Sequence, residues 1–178
     1  EFGQTAVGSL SMQDSIMLDL YASPEQREHF LAPLVAGDVY PSVGLTEPEV
    51  AGSDPTLMQT TARLDGDDWV IDGHKWFTTG ASRAAFTTVF AKTDPEAPKH
   101  LQFSSIIVPT DTPGYTLKRA VPTMGHAGGQ HCELVLDHVR VPRTNLLGKR
   151  GEGFLISQKR LGPGRIFHCM RWLGQAQR

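Results

Sequence analysis

Two polar segments of this chain carry residues able to act on a bound ligand. The first, G-L-T-E-P-E-V-A-G-S-D (Gly44 to Asp54), sets two hydroxyls, Thr46 and Ser53, in a loop rich in backbone N–H groups. Hydroxyls both donate and accept, so such a loop suits a polar ring edge or phosphate oxygens. The same residues would equally cap a helix or close a turn. The second, G-H-K-W-F-T-T-G-A (Gly73 to Ala81), places Trp76 and Phe77 beside Thr78 and Thr79 at the end of a predicted strand. Strand alternation sends Trp76 and Thr78 to one face, Phe77 and Thr79 to the other. An aromatic and a hydroxyl two apart on one face can flank a flat heteroaromatic and bond its edge. They also suit an ordinary sandwich core.

Other chemistries are closed by their missing patterns. The chain has no G-x-S-x-G elbow, no H-E-x-x-H, no G-x-x-x-x-G-K-[ST] and no strand followed by G-x-G-x-x-G. Gly148 to Phe154 (G-K-R-G-E-G-F) has the lysine and glycines in the wrong order for a phosphate loop and reads as a flexible entry to the last helix. His126, His131 and Cys132 offer potential ligands with no second cluster to complete a geometry, so no metal is expected. Cys132 and Cys169 read as small buried filler, and two cysteines are too few for a secreted disulfide scaffold, which makes a reducing compartment the default.

The elements that must position these segments fall into three sections. From Ser11 to about Gly37 the spacing is helical and fits two short helices, with Ser23 at an N-cap, Pro24 at a first helical position and Gly37 at a C-terminal stop. From Val39 to about Leu147 short alternating runs predict a β domain. Asp65-Gly66 and Asp72-Gly73 read there as hairpin turns, and Asp94 to Pro98 interrupts the next pair. After Gly153 helical spacing returns, with Gly162-Pro163-Gly164 as a break or kink. The expected architecture is α+β: a central antiparallel β-sandwich or barrel-like domain (41–150) between the end of one helical domain (1–40) and the start of another (151–178), as if cut from something longer. At 178 residues, 39% hydrophobic and 20% charged, the composition is globular rather than disordered. A net charge of −2 gives no field to gather nucleic acid, and no apolar run reaches the ~18 residues of a membrane span. The start is neither basic nor apolar enough for a signal peptide, so the chain reads as soluble.

Five motifs in register extend this reading. T-E-P-x-x-A-G-S-D (Thr46 to Asp54), D-G-H-K-W-F-T-T-G (Asp72 to Gly80), D-x-V-R-V-P (Asp137 to Pro142), G-x-G-F (Gly151 to Phe154) and R-L-G-P-G-R-I (Arg160 to Ile166) together resemble the acyl-CoA dehydrogenase family. The resemblance implies an FAD-dependent enzyme that introduces an α,β double bond into an acyl-CoA thioester by α-proton abstraction and hydride transfer to flavin N5. It places Leu45 and Thr46 at the flavin pyrimidine edge and Ser53 by the pyrophosphate and the acyl-CoA. Phe77 falls beside the isoalloxazine, where the family's usual residue is tryptophan, and Thr79 at N5, with Thr78 between them in the same cofactor segment. Leu161 matches a pantetheine-contacting position and Arg165 an arginine near the CoA chain. The family's catalytic carboxylate lies beyond Arg178, so no catalytic base is nominated. Glu47, Glu49 and Asp54 fall at structural positions, where loop solvation or capping is expected.

The implied partners are an acyl-CoA, an electron-transfer flavoprotein or similar acceptor, and further copies of the full-length chain. The implied compartment is a bacterial cytoplasm or a mitochondrial matrix. The segment alone is expected to be inactive. Its flanking helices are expected to expose apolar faces through Ile16, Leu18 and Leu20 and through Ile156, Met170 and Leu173. Acyl-CoA oxidases and flavin-dependent monooxygenases share the implied β domain and stay open as alternatives, as does a non-enzymatic β-sandwich binding module.

Overall fold

A computed structural model describes residues 7–124 and 130–178, with side chains from Met12 onward; His126 lies outside the described residues. The helical start is as the punctuation predicts. Helix α1 spans Val7–Tyr21, and Ser23 then caps α2 (Pro24–Gln26) by accepting from the Gln26 amide at 3.2 Å while the Gln26 side chain accepts from the Ser23 amide at 3.0 Å. This reciprocal box satisfies two amides that a helix start otherwise leaves unpaired. The chain widens into a π turn, Arg27–Leu31, before α3 (Ala32–Ala36). Pro33 explains the widening, because a proline ring collides with the carbonyl four residues back in a regular α-helix. Gly37 ends the run at φ 85°, where a residue without Cβ is unstrained.

The β domain follows as β1 (Pro41–Gly44), β2 (Thr61–Asp65), β3 (Asp68–Thr79), β4 (Phe86–Lys92), β5 (Phe103–Pro109), β6 (Tyr115–Ala120), β7 (His131–Pro142) and β8 (Leu146–Leu147). Their order is β6-β7-β3-β2-β4-β5-β8, with β1 on β4, in a sheet that does not close. Most pairs are antiparallel; β1–β4 and the single Thr61–Lys92 pair joining β2 to β4 are parallel. That narrow join lets the two halves fold over one core. Ala62, Trp69, Ile71, Leu136, Val139 and Val141 from one half meet Val89, Ala91, Ile106 and Val108 from the other.

The outer face of β4 and β5 is also covered, where Phe86 and Ile107 pack with Met17, Leu18, Phe30, Leu34 and Ile156. Burial on both faces is why β5 reads F-S-S-I-I-V-P rather than alternating. It also corrects the expected exposed helix faces: Leu18 and Ile156 are fully buried, whereas Ile16, Leu20, Met170 and Leu173 are exposed.

Two further expectations change. Asp65-Gly66 does close the β2–β3 hairpin, with Gly66 at φ 65°, but Asp72-Gly73 lies inside β3 at a bulge between Ile71 and Gly73. Glycine is required there by proximity, since a Cβ would stand 2.2 Å from Thr60 Oγ1. Asp72 accepts from the His138 amide at 2.8 Å and so holds the left-handed His138, φ 51°, on the facing strand. Secondly, α4 (Gly153–Ala176) runs unbroken through Pro163. Tertiary packing sets that course: at Gly164 a Cβ would fall 2.5 Å from the Gln13 side chain, so α1 and α4 touch closely there.

Candidate functional site

The two polar segments meet because β3 carries one and binds the other. The Trp76 amide donates to the Thr46 carbonyl at 3.0 Å, and beneath this bond lies a sealed ion pair. Lys75 Nζ donates to Glu47 Oε1 at 2.8 Å, with the two side chains 0% and 1% exposed. The same ammonium donates to the Leu45 carbonyl at 3.0 Å, while Glu47 also accepts from the amides of Gln59 and Thr60 at 2.5 and 2.9 Å. Burial pushes the Lys75 ammonium down to about 8 against the opposing pull of Glu47. Burial also pushes the Glu47 carboxyl up, but Lys75 and the hydrogen bonds outweigh it and leave the group below its ordinary range. Glu47 is therefore neither solvated nor a cap, as the sequence suggests; it ties the loop to β3 from inside.

The other loop carboxylates divide. Asp54 caps a single turn, accepting from the Thr56 amide at 3.0 Å, in line with its expected role. Glu49 meets His74 Nδ1 at 2.6 Å, and His74 Nε2 meets the buried Glu133 at 2.9 Å. Lys118 and Arg119 donate to Glu133 and, with His74, hold its carboxyl down at about 2.

At the end of β3 simple alternation fails. A register shift between Lys75 and Thr78 puts one extra residue on β3, so that Lys75 and Thr78, three apart, are both fully buried. The residue that absorbs the shift is Phe77, at φ 49°, a backbone region costly for a side chain without local hydrogen-bonding capacity. Its ring is turned out, 40% exposed, next to Trp76 at 4.6 Å between centroids. Thr79 Oγ1 lies 2.9 Å from His131 Nδ1 on the facing strand. Phe77 and Thr79 line one cleft of about 160 Å³ together with Asp14, Pro41, Ser42, Val43, Leu45 and Arg160. Thr78 does not reach it; its Oγ1 is buried without a partner in the structure, as is the Trp76 indole N–H.

The sequence model of the acyl-CoA dehydrogenase middle domain matches residues 42–139, the span holding both segments and the strands that join them. The chain belongs to the acyl-CoA dehydrogenase family. It is 47% identical over 165 residues to FadE2 of Mycobacterium tuberculosis, named as an acyl-CoA dehydrogenase, covering 91% of this chain and 40% of that one. It is 43% identical over 168 residues to acyl-CoA dehydrogenase family member 11 of Mus musculus, covering 91% of this chain and 22% of the other. A glutaryl-CoA dehydrogenase from Mycobacterium smegmatis, solved in complex with FADH2, superposes with a TM-score of 0.75 at 35% identity, over 87% of this chain and 39% of that one. The chain thus spans less than half the length of these relatives.

Against the family's pattern, the described residues distribute unevenly. Leu45 borders both the cleft and a hollow of about 10 Å³ under the loop, and Thr46 borders the hollow. Ser53 is exposed at the loop's far side and lines neither. Leu161 is half-buried and Arg165 exposed on α4, outside the cleft; Arg165 reaches Gln158 at 3.4 Å. Cys132 is buried and Cys169 exposed, so only the first is filler. Sequence reasoning passed over Lys75, His74, Asp14 and Arg160. The one available signal was a pair of opposite charges, Glu47 and Lys75, one in each candidate segment. Nothing in spacing could show that partners 28 and 146 residues apart meet.

Proposed function

We propose that this chain is the flavin-holding β domain, with adjoining helices, of an FAD-dependent acyl-CoA dehydrogenase. The observation that carries the reading is the bulge at Phe77, which spends backbone strain to turn a flat ring into a cleft shared with the Thr79 hydroxyl. A planar heteroaromatic with a polar edge fits that pairing of face and donor. The FADH2 bound by the related glutaryl-CoA dehydrogenase supports it.

In this reading Leu45 and Thr46 would hold the flavin's pyrimidine edge, Phe77 would lie against the ring and Thr79 would offer it a hydroxyl. The buried Glu47–Lys75 pair keeps the Leu45–Thr46 backbone at fixed distance from β3. FAD, when bound, supplies the hydride acceptor for oxidation of the acyl chain. Thr79 contributes by being held in place: His131 fixes its oxygen at 2.9 Å, so no reorganisation is needed when charge develops beside it. Ser53, Leu161 and Arg165 are assigned to the acyl-CoA and the proton-abstracting carboxylate to sequence beyond Arg178. An electron-transfer flavoprotein or similar acceptor and self-association of the full-length chain complete the reading.

The test is the visible spectrum of the full-length protein, titrated anaerobically with straight and branched acyl-CoAs. An oxidised flavin band bleached by acyl-CoA is expected. A colourless protein, or a flavin that no acyl-CoA bleaches, would overturn the reading.

A further inference from the structure

The cleft beside Phe77 and Thr79 has one wall that an alkyl chain does not explain. Asp14 on α1 and Arg160 on α4 meet there, with Arg160 Nε donating to Asp14 Oδ1 at 2.5 Å and the side chains only 10% and 3% exposed. Burial pushes the Asp14 carboxyl up, and the Arg160 charge offsets only part of that push. An isolated pair in this setting is a costly way to join two helices that Gly164 and Gln13 already bring together. The pair is also incomplete. Among the described residues, Asp14 is the one hydrogen-bond partner of the guanidinium, and Nε alone makes that bond. The two terminal NH2 groups carry four donors with no acceptor among the described residues. Arg160 lines the cleft with its side chain 10% exposed, so a group bound in the cleft can reach those donors.

A plain alkyl group seated against this edge would strip water from the guanidinium and return nothing, leaving buried donors unmet. An oxygen on the bound group would satisfy them through a charge-assisted bond. Ser42 and Thr79 add hydroxyls to the same cleft, whose remaining lining is Pro41, Val43, Leu45 and Phe77.

We infer that Arg160, oriented by Asp14, is a specificity-determining residue that selects acyl groups bearing an oxygen acceptor, a hydroxyl or a second carboxylate, over plain alkyl chains. The inference rests on the proposed function in taking the flavin to lie against Phe77 and Thr79 and an acyl group to lie beside it at the Arg160 wall. Sites built around a buried polar partner discriminate strongly against ligands that lack it.

The experiment measures equilibrium binding of redox-inert thioether analogues of acyl-CoA to the flavin-loaded full-length protein by calorimetry. Matched short chains end in methyl, hydroxyl or carboxylate. The oxygen-bearing chains should bind roughly tenfold or more tightly than the methyl one, the range of one charge-assisted hydrogen bond. Whichever of hydroxyl and carboxylate gains more identifies the natural source. The double variant Asp14→Leu/Arg160→Met, which strands no charge, should fold and lose or invert the preference. Its fold is checked by circular dichroism and flavin retention. Wild-type protein binding the methyl chain as tightly as the others, or a preference that survives in the double variant, would overturn the inference. Failure of the proposed function is read separately, because the corresponding thioesters would then leave the flavin oxidised whatever the analogues' binding order.

Discussion

Replacing Lys75 with methionine in the full-length protein tests whether a buried ion pair, rather than the loop's own turns, fixes the Leu45–Glu47 segment. Methionine keeps most of the unbranched side chain, one atom shorter, and removes its charge. Glu47, 1% exposed, is then left with only the amides of Gln59 and Thr60, and the Leu45 carbonyl loses its 3.0 Å donor. Breaking a buried pair from one side costs about 3–5 kcal/mol, and the two surviving amide bonds set this case near the lower end, about 3 kcal/mol. At about 1.4 kcal/mol per decade, local opening becomes roughly a hundredfold more frequent. The amides of Gln59 and Thr60 report it directly, since both donate to Glu47, and their hydrogen–deuterium exchange should accelerate by that factor. Glu47→Gln/Lys75→Met leaves no stranded charge and should recover most of the protection. A pH signature accompanies the pair. Lys75 releases its proton at about 8 in the fold against an ordinary 10.5, so between these values the unfolded chain binds more protons and stability should climb with pH. Lys75→Met should lack that climb. Exchange within about threefold of wild type, or a double variant as loose as the single one, would refute the reasoning.

The acid side should be governed in part by Glu133, whose carboxyl sits at about 2 rather than the ordinary 4.5. Below 4.5 the unfolded chain takes up a proton that the folded one refuses, so this contribution is full above 4.5 and is lost as pH falls toward 2; Glu133→Gln should flatten that limb in acid-unfolding curves. Gly73→Ala forces a Cβ to 2.2 Å from Thr60 Oγ1 and should destabilise the protein by about 1–3 kcal/mol, read as a lowered denaturation midpoint. Thr79→Ala should slow flavin reduction roughly a hundredfold, the lower side of what a positioned donor contributes, with the circular dichroism spectrum unchanged. An unchanged rate would assign N5 to another donor. Phe77→Ala should loosen flavin retention, seen as a lower midpoint for cofactor release, while altering stability by less than about 1 kcal/mol because the ring is 40% exposed.

How much of this was legible without coordinates depended on the range of the interaction. Ser23, Pro24 and Gly37 announced a helix and its limits because capping is settled within four residues, and Asp65-Gly66 announced a hairpin for the same reason. Alternation along Val139 to Val141 and the short apolar run Trp69 to Ile71 marked a β domain, and the motifs around Thr46 and Phe77 pointed to the cofactor segments. Asp72-Gly73 misled because the same dipeptide serves a turn or a bulge, and only Thr60 pressing on Gly73 decides between them. Pro163 does not end α4, as a break there would have: its cost is local, whereas the packing of Gly164 on α1 depends on Gln13, far earlier in the chain. The turned-out Phe77, the sealed Glu47–Lys75 pair and the Asp14–Arg160 wall share this origin. Each depends on burial or on partners distant in sequence, and burial sets the strength of a charge or an unmet donor. The sequence by itself determined which residues could hold a cofactor; tertiary structure alone decided which of them face the cleft and which charges stand behind them.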